Sequence, residues 1–291
     1  MTARAPLRCT VFQIHYAPEQ QGALDPAFVP YDNAGKATEL LEFDVFRRLA
    51  ASPSVQSLTH WGAVSWRFGE KTGLTGREFL AYPRAMPQID LWYLNPYPFI
   101  ESLFPSCWVQ GHTTHPRFLP LVEQVFLAAG LDPISVRRIE PSHFFSAANY
   151  FIGSQRFWAL YLPFVGDFIE RVESGLPVSW RQELHSSKAD PKGFHKGSTY
   201  LPFVVERLLP EFLRTAGSDL AVQRVPLPRE EAKLNAELRA LRELKDRAVA
   251  ERSTSLAGEW MSRRNRYVKP RTTPTWWAEF SEVLNPSEIV W

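Results

Sequence analysis

The apolar positions of this chain fall into short runs that alternate with longer stretches of helical spacing. Residues 9–16, Cys9-Thr-Val-Phe-Gln-Ile-His-Tyr16, are a β-rich run bounded by Pro6 and Pro18 and predict a buried first strand. Residues 17–38 hold Pro18, Gly22, Pro26, Pro30 and Gly35, which predicts a loop longer than a mere connection needs. Leu41, Val45, Phe46 and Leu49 then recur at helical spacing over 39–51. A second strand is predicted over 61–68, and a Gly-rich turn leads into a helix that starts near Thr75. Residues 89–95 are the clearest buried strand, stopped by Pro96 and Pro98, so that Asn95 and Tyr97 lie at its carboxyl edge. Helices are predicted over 116–129, 156–173 and 202–216, with a further strand over 144–153.

Strands alternating with helices imply an α/β domain over residues 7–220 with a mainly parallel sheet flanked by helices. Ligands of such sheets sit beyond the carboxyl ends of the strands. The remainder, 221–291, differs in kind and predicts a helical appendage. Leu234, Leu238, Leu241, Leu244 and Ala248 make an apolar seam on one long solvated helix over 229–252, with Arg239/Glu243 and Glu243/Arg247 as i,i+4 pairs. Arg263, Arg264, Arg266, Lys269 and Arg271 follow without an intervening acid, among Trp260, Tyr267, Trp276 and Trp277. Cations and aromatics in this mixture favour a membrane surface, so peripheral membrane contact through 260–291 is expected.

Composition narrows the function classes. With 33 Lys and Arg against 31 Asp and Glu, the net charge of +2 is too balanced for a protein whose affinity comes from neutralising many phosphates, so no nucleic-acid partner is expected. Cys9 and Cys107 are far apart and lack zinc spacing, which suits buried thiols in a reducing compartment and a cytoplasmic location. The most apolar stretch, 151–169, carries Arg156 and Asp167 where a spanning helix would need about 20 apolar residues.

Several motifs fall short of the chemistry they suggest. Gly69-Glu-Lys-Thr-Gly-Leu-Thr-Gly76 lacks the order of a P-loop and is read as a strand-to-helix turn with Thr75 as N-cap. His112 and His115 lie in a loop with no carboxylate at zinc-protease spacing, and His185 and His195 are read as surface residues. No Gly-x-Ser-x-Gly elbow occurs, and Cys107, beside Trp108 and Phe104, is read as buried rather than nucleophilic. One group makes sense together: His15, Tyr16, Asp32, Asn33, Lys71 and Asn95 fall at strand ends or in the loops after them, and Asn149 lies in the strand over 144–153. On one rim they would supply acceptors, a cation and aromatic surface suited to a nucleotide sugar.

In order and wording the chain resembles small GT-A-like glycosyltransferases of bacterial capsule and O-antigen loci. The resemblance rests on the strand ending in His15-Tyr16, Asp25-Pro-Ala-Phe-Val-Pro-Tyr-Asp-Asn33, Glu42-Phe43, Trp61-Gly-Ala-Val-Ser-Trp-Arg-Phe-Gly-Glu-Lys-Thr-Gly-Leu74, Asp90-Leu-Trp-Tyr-Leu-Asn-Pro96, Asn149-Tyr-Phe-Ile-Gly153 and Pro202-Phe-Val-Val-Glu-Arg-Leu208. It covers residues 9–216. It implies a GT-A-like, Rossmann-like fold and transfer of a sugar from a nucleotide-sugar donor to a glycan or lipid-linked glycan, at the inner face of the membrane. It further implies donor binding by His15, Tyr16, Asp32, Asn33, Lys71 and Asn95, acceptor binding by Tyr97 and Asn149, and a general base at Glu206. Such enzymes commonly hold Mn²⁺ or Mg²⁺ through Asp-x-Asp. No Asp-x-Asp occurs in this chain, which leaves metal dependence open and makes a non-catalytic glycan-binding or assembly protein the alternative.

Overall fold

A computed structural model describes residues 7–36, 38–190 and 197–291. The described chain divides into two compact units, each discontinuous in sequence. The first comprises residues up to Pro96 with Ala148–Asp167 and Leu208–Arg229; the second comprises Tyr97–Ala147, Phe168–Arg207 and Glu230–Trp291. The helix Gln155–Gly175 begins in one and ends in the other.

The first unit is built on a six-stranded, mostly parallel sheet. Its strands are β1 (Cys9–His15), β2 (Val29–Asp32), β3 (His60–Ser65), β4 (Leu91–Tyr93), β5 (Phe151–Ser154) and β6 (Val222–Arg224), in the order β2-β1-β3-β5-β4-β6. β5 alone runs antiparallel to its neighbours, so residues just before it lie at the rim where the parallel strands end. All residues of β3, β4 and β5 are buried, as expected of strands covered on both faces. One face packs Val11, Val64, Trp92 and Ile152 against Phe28, Phe68 and Phe79. Side-chain alternation sends Trp61 and Phe151 to the opposite face. There Trp158 stacks on Trp61 at a centroid distance of 4.0 Å and donates from Nε1 to the Trp61 carbonyl at 3.0 Å. The β3–β5 crossing demands Gly62, because a Cβ at that position would lie 1.9 Å from the Phe151 carbonyl oxygen.

Four expectations are corrected. The loop over 17–38 contains β2, a Pro-interrupted edge strand whose register with β1 pairs His15 with Asp32. The strand expected over 144–153 is confined to Phe151–Ser154, and Ser142–Phe144 is a 3₁₀ turn. The helix expected over 202–216 is broken into Leu201–Val205 and Leu209–Arg214, with Pro210 in the first turn of the second. The segment 229–252 is likewise two helices, Pro228–Ala232 and Ala236–Glu251, the latter capped by Asn235 Oδ1 accepting from the Leu238 amide.

Nor is that last helix a solvated appendage. Leu238, Leu241, Leu244, Lys245 and Ala248 are buried, and Leu241, Leu244 and Ala248 share a core with Ile139, Ala257 and Trp260 of the helical second unit. The last residues of the chain are tied in by the Ile139 amide, which donates to the Val290 carbonyl at 2.9 Å. The buried cations there are anchored individually. Arg264 donates to the Leu284 carbonyl at 2.7 Å and to Asn285 Oδ1 at 2.9 Å, with its guanidinium 4.7 Å from the Trp260 ring centroid. Among the described residues no helix is long and apolar enough to cross a membrane.

Candidate functional site

The carboxyl rim of the sheet gathers the first group of candidates. The Asn33 amide donates to the His15 carbonyl at 2.9 Å, carrying the β1–β2 pairing one residue past the end of β2. His15 is buried, and its Nδ1 lies 4.0 Å from Asp32 Oδ1, too far for a hydrogen bond. Asp32 is exposed and uses Oδ1 to accept from the Ala34 amide at 2.9 Å, fixing the turn after β2. Asn33 is fully buried; its Oδ1 accepts from Arg48 Nη2 at 2.6 Å. His15 Nδ1 has no hydrogen-bond partner among the described residues, while Asn33 Nδ2 lies toward the Tyr16 hydroxyl without a well-formed bond to it. A buried polar atom left open at a strand end is costly unless something else pairs with it.

Tyr16 stands beside them. Its hydroxyl is raised far above the ordinary phenol range, first by burial and then by the Glu42 carboxylate, against the opposing effects of Asn33 and Arg48. It is therefore a neutral donor at any working pH. The Tyr16 amide donates to Gln20 Oε1 at 2.7 Å, which holds the start of the long loop.

The middle of the rim is set by β3 and the entry to β5. Gln13 Nε2 donates to the Ser65 and Trp66 carbonyls at 3.4 and 3.3 Å, while its Oε1 accepts from the Asp25 amide at 2.6 Å. Asp25 Oδ2 in turn accepts from the Gly76 amide at 2.7 Å, and any Cβ on residue 76 would meet that carboxylate at 2.6 Å. The Gly-rich stretch thus spends this helix-start amide on Asp25, and Thr75 with Glu78 closes a capping box, as the turn reading expected. Ser65 Oγ and the Tyr150 hydroxyl are 2.7 Å apart. Lys71 Nζ lies 5.8 Å from the centroid of the Tyr150 ring, a cation–π placement, and makes no ion pair among the described residues. The Leu94 amide donates to the Tyr150 carbonyl at 3.3 Å, so the buried Asn95 and Asn149 flank the place where β4 leaves and β5 enters.

The sheet unit therefore brings together His15, Tyr16, Asp32, Asn33, Lys71, Asn95 and Asn149. It does not contain Tyr97 or Glu206, which belong to the second unit. Tyr97 is exposed, with its ring 6.4 Å from Phe99. Glu206 ends the helix Leu201–Val205, half-buried, with Oε2 at 3.8 Å from Arg207 Nη1. Arg207 is buried over the Phe118 ring and donates to the Cys107 and Phe203 carbonyls and to Gln110 Oε1; burial lowers the proton affinity of its guanidinium and Glu206 opposes that. Sequence reasoning passed over Arg48, Ser65, Gln13 and Tyr150. Only Tyr150 carried a signal, its place beside Asn149.

The remaining candidates are spent structurally. His112 Nδ1 accepts from the Leu119 amide at 3.3 Å. His115 stacks on Phe203 at 4.1 Å and pairs through Nδ1 with the Ala189 carbonyl at 2.8 Å. His185 Nε2 is 2.9 Å from Glu173 Oε1, and the His195 reading lies outside the described residues. Cys107 is buried, and burial pushes the Cys9 thiol up to about 12, which suits inert cysteines. Among the described residues no three His, Cys, Asp or Glu side chains stand together as a metal site. Around the rim the Asp32 carboxylate is tied to the Ala34 amide, that of Asp25 to the Gly76 amide, and Glu42 lies beside Tyr16, so among the described residues no cluster of oxygen ligands suited to Mn²⁺ or Mg²⁺ forms. The chain matches no family model, no curated protein and no solved structure.

Proposed function

We propose that the sheet unit binds a nucleotide sugar at its carboxyl rim and that the protein transfers the glycosyl group to a glycan acceptor. The observation that carries this reading is the open, buried His15 Nδ1 beside the amide of Asn33 and the hydroxyl of Tyr16, on the rim that also presents the ammonium of Lys71, which makes no ion pair among the described residues. Polar atoms of that kind suit the hydroxyls and heteroatoms of a base or sugar, and the ammonium suits a diphosphate. The order of motifs resembling GT-A-like enzymes of capsule and O-antigen loci supports the same class.

In the proposed transfer an acceptor hydroxyl oxygen bonds to the anomeric carbon as that carbon's bond to the diphosphate oxygen breaks. The diphosphate leaves with the electron pair, its charge met by Lys71 rather than by a metal. The hydroxyl proton passes to a general base, for which the resemblance alone, through the Pro202–Leu208 motif, offers Glu206. The scarcity of carboxylates on the rim favours one alternative, a protein that binds the nucleotide sugar or glycan without turnover.

Calorimetric titration with nucleoside diphosphates tests the reading. Lys71→Ala should weaken binding by about ten- to a hundred-fold, the worth of a charge-assisted contact, with unchanged circular dichroism. Equal affinity in the folded variant removes Lys71, and with it the diphosphate assignment. Binding without release of nucleoside diphosphate from any nucleotide sugar selects the non-catalytic alternative.

A further inference from the structure

The basic run near the C-terminus is not used as a unit, and the structure sorts its members one by one. Arg263 is neutralised by Glu237 through two bonds, Nε to Oε1 at 2.7 Å and Nη2 to Oε2 at 2.8 Å. Arg264 is inside the helical core. Arg271 lies over the Tyr267 ring at 3.9 Å and donates to the Tyr267 carbonyl. Two cations are left over. Arg266 and Lys269 are exposed, lie three residues apart at the end of the helix Thr254–Val268, and make no direct ion pair among the described residues, Glu237 feeling the Arg266 charge only at longer range while bonded to Arg263.

These two line one notch of about 540 Å³ together with Asn265, Pro270 and Trp277. Its walls are fixed by bonds that do not involve the cations. Asn265 accepts from Arg264 Nε and Nη2 through Oδ1 and donates from Nδ2 to Asn285 Oδ1 at 2.7 Å. Thr273 caps the helix Pro274–Leu284 by accepting from the Trp276 amide, and its carbonyl accepts from the Trp277 amide at 3.0 Å. The half-buried Trp277 ring and the Pro270 ring supply an apolar wall, while the two open charges supply the electrostatic half of a site.

We infer that this notch binds a phosphate group carried on an apolar body, with Arg266 and Lys269 on the phosphate and Trp277 against the apolar part. Arginine offers a planar fork that matches phosphate oxygens and lysine a point charge. An indole at the same depth gives surface for a chain or ring. The site shares no residue with the sheet rim and does not depend on the reaction proposed there. The chemistry fits both the headgroup region of an anionic lipid and a free phosphorylated metabolite.

The test uses the full chain and hexyl phosphate below its micellar concentration, with inorganic phosphate and hexanol as the two halves of the ligand. Calorimetry should show hexyl phosphate bound more tightly than either half. The double substitution Arg266→Ala with Lys269→Ala should weaken it at least tenfold, and Trp277→Ala should reduce it to the level of inorganic phosphate. Circular dichroism and the melting temperature of the double variant should be unchanged, since both residues are exposed; Trp277→Phe serves if the alanine variant does not fold. Co-sedimentation with phosphatidylglycerol vesicles, lost in the double variant, would assign the phosphate to a lipid surface. Binding of hexyl phosphate without vesicle binding would assign it to a soluble ligand. No binding of hexyl phosphate by the full chain, or equal binding by the folded double variant, overturns the inference.

Discussion

The sheet unit and the helical unit place their cations differently. In the helical unit the buried cations Arg207, Lys245 and Arg264 are each held on backbone carbonyls and against an aromatic ring. Among the described residues no lysine or arginine is buried in the sheet unit. Its rim cations, Arg48 and Lys71, stay within reach of solvent, and the neighbouring His15 keeps a polar atom open. A guanidinium that has spent its protons on carbonyls is part of the scaffold, while an accessible ammonium beside open polar atoms can meet a ligand. The same residue type therefore means different things in the two units, and charge alone does not mark a site.

Three experiments press on this contrast, beginning with the largest effect. Gly62→Ala places a methyl group against the Phe151 carbonyl, a backbone atom that cannot yield without parting β3 from β5. Chemical denaturation should show a loss of about 3 kcal/mol or an insoluble product. A loss under about 1 kcal/mol would mean that the sheet is not held by that crossing.

Arg264→Met addresses the helical unit. Methionine fills much of the space but leaves the Leu284 carbonyl and Asn285 Oδ1 without this donor, so a loss of about 2–3 kcal/mol is expected. A neutral or stabilising result would show that the buried guanidinium is dispensable and that the contrast between the units is weaker than described.

The smallest effect is a pH dependence. His112 is held below the ordinary imidazole value chiefly by burial, and its Nδ1 must be unprotonated to accept from Leu119. The unfolded chain thus binds more protons than the folded one just below about pH 6.5, so stability rises with pH through that window and falls on acidification. The loss should be about 1 kcal/mol, the worth of one amide hydrogen bond. His112→Asn, which keeps an acceptor near Nδ1 without a titrating ring, should flatten the melting temperature between pH 5 and 7. An unchanged slope would assign the pH dependence to other groups.

Much of the first unit was legible along the chain because its signals are local. A buried strand such as 89–95 is a run of apolar residues cut off by prolines, and a capping box such as Thr75 with Glu78 is complete within four residues. Those features determined the α/β class and the alternation that puts His15, Lys71, Asn95 and Asn149 near strand ends. β2 was not legible, since Val29-Pro-Tyr-Asp32 has neither length nor alternation and exists as a strand only because β1 offers it a partner. Nor was the reversal of β5, which turns Tyr150 toward Ser65 and brings Lys71 onto its ring.

The C-terminal region shows the limit most clearly. Its apolar seam and basic run predicted a solvated helix and an interfacial tail, both in an appendage over 221–291 separate from the domain over 7–220. Contacts instead group 230–291 with 97–147 and 168–207 and leave 208–229 with the sheet. By itself the sequence determined which residues are cations, which are aromatic and which apolar positions make the seam of 234–248. Only the tertiary structure decided that Arg264 is a core residue, that Arg263 is neutralised by Glu237 and that Arg266 and Lys269 are left facing a notch with Trp277. The physical reason is that periodicity reports which face of a helix is apolar, whereas the cost of burying a charge is met by partners distant in sequence, and those are fixed only when the elements pack.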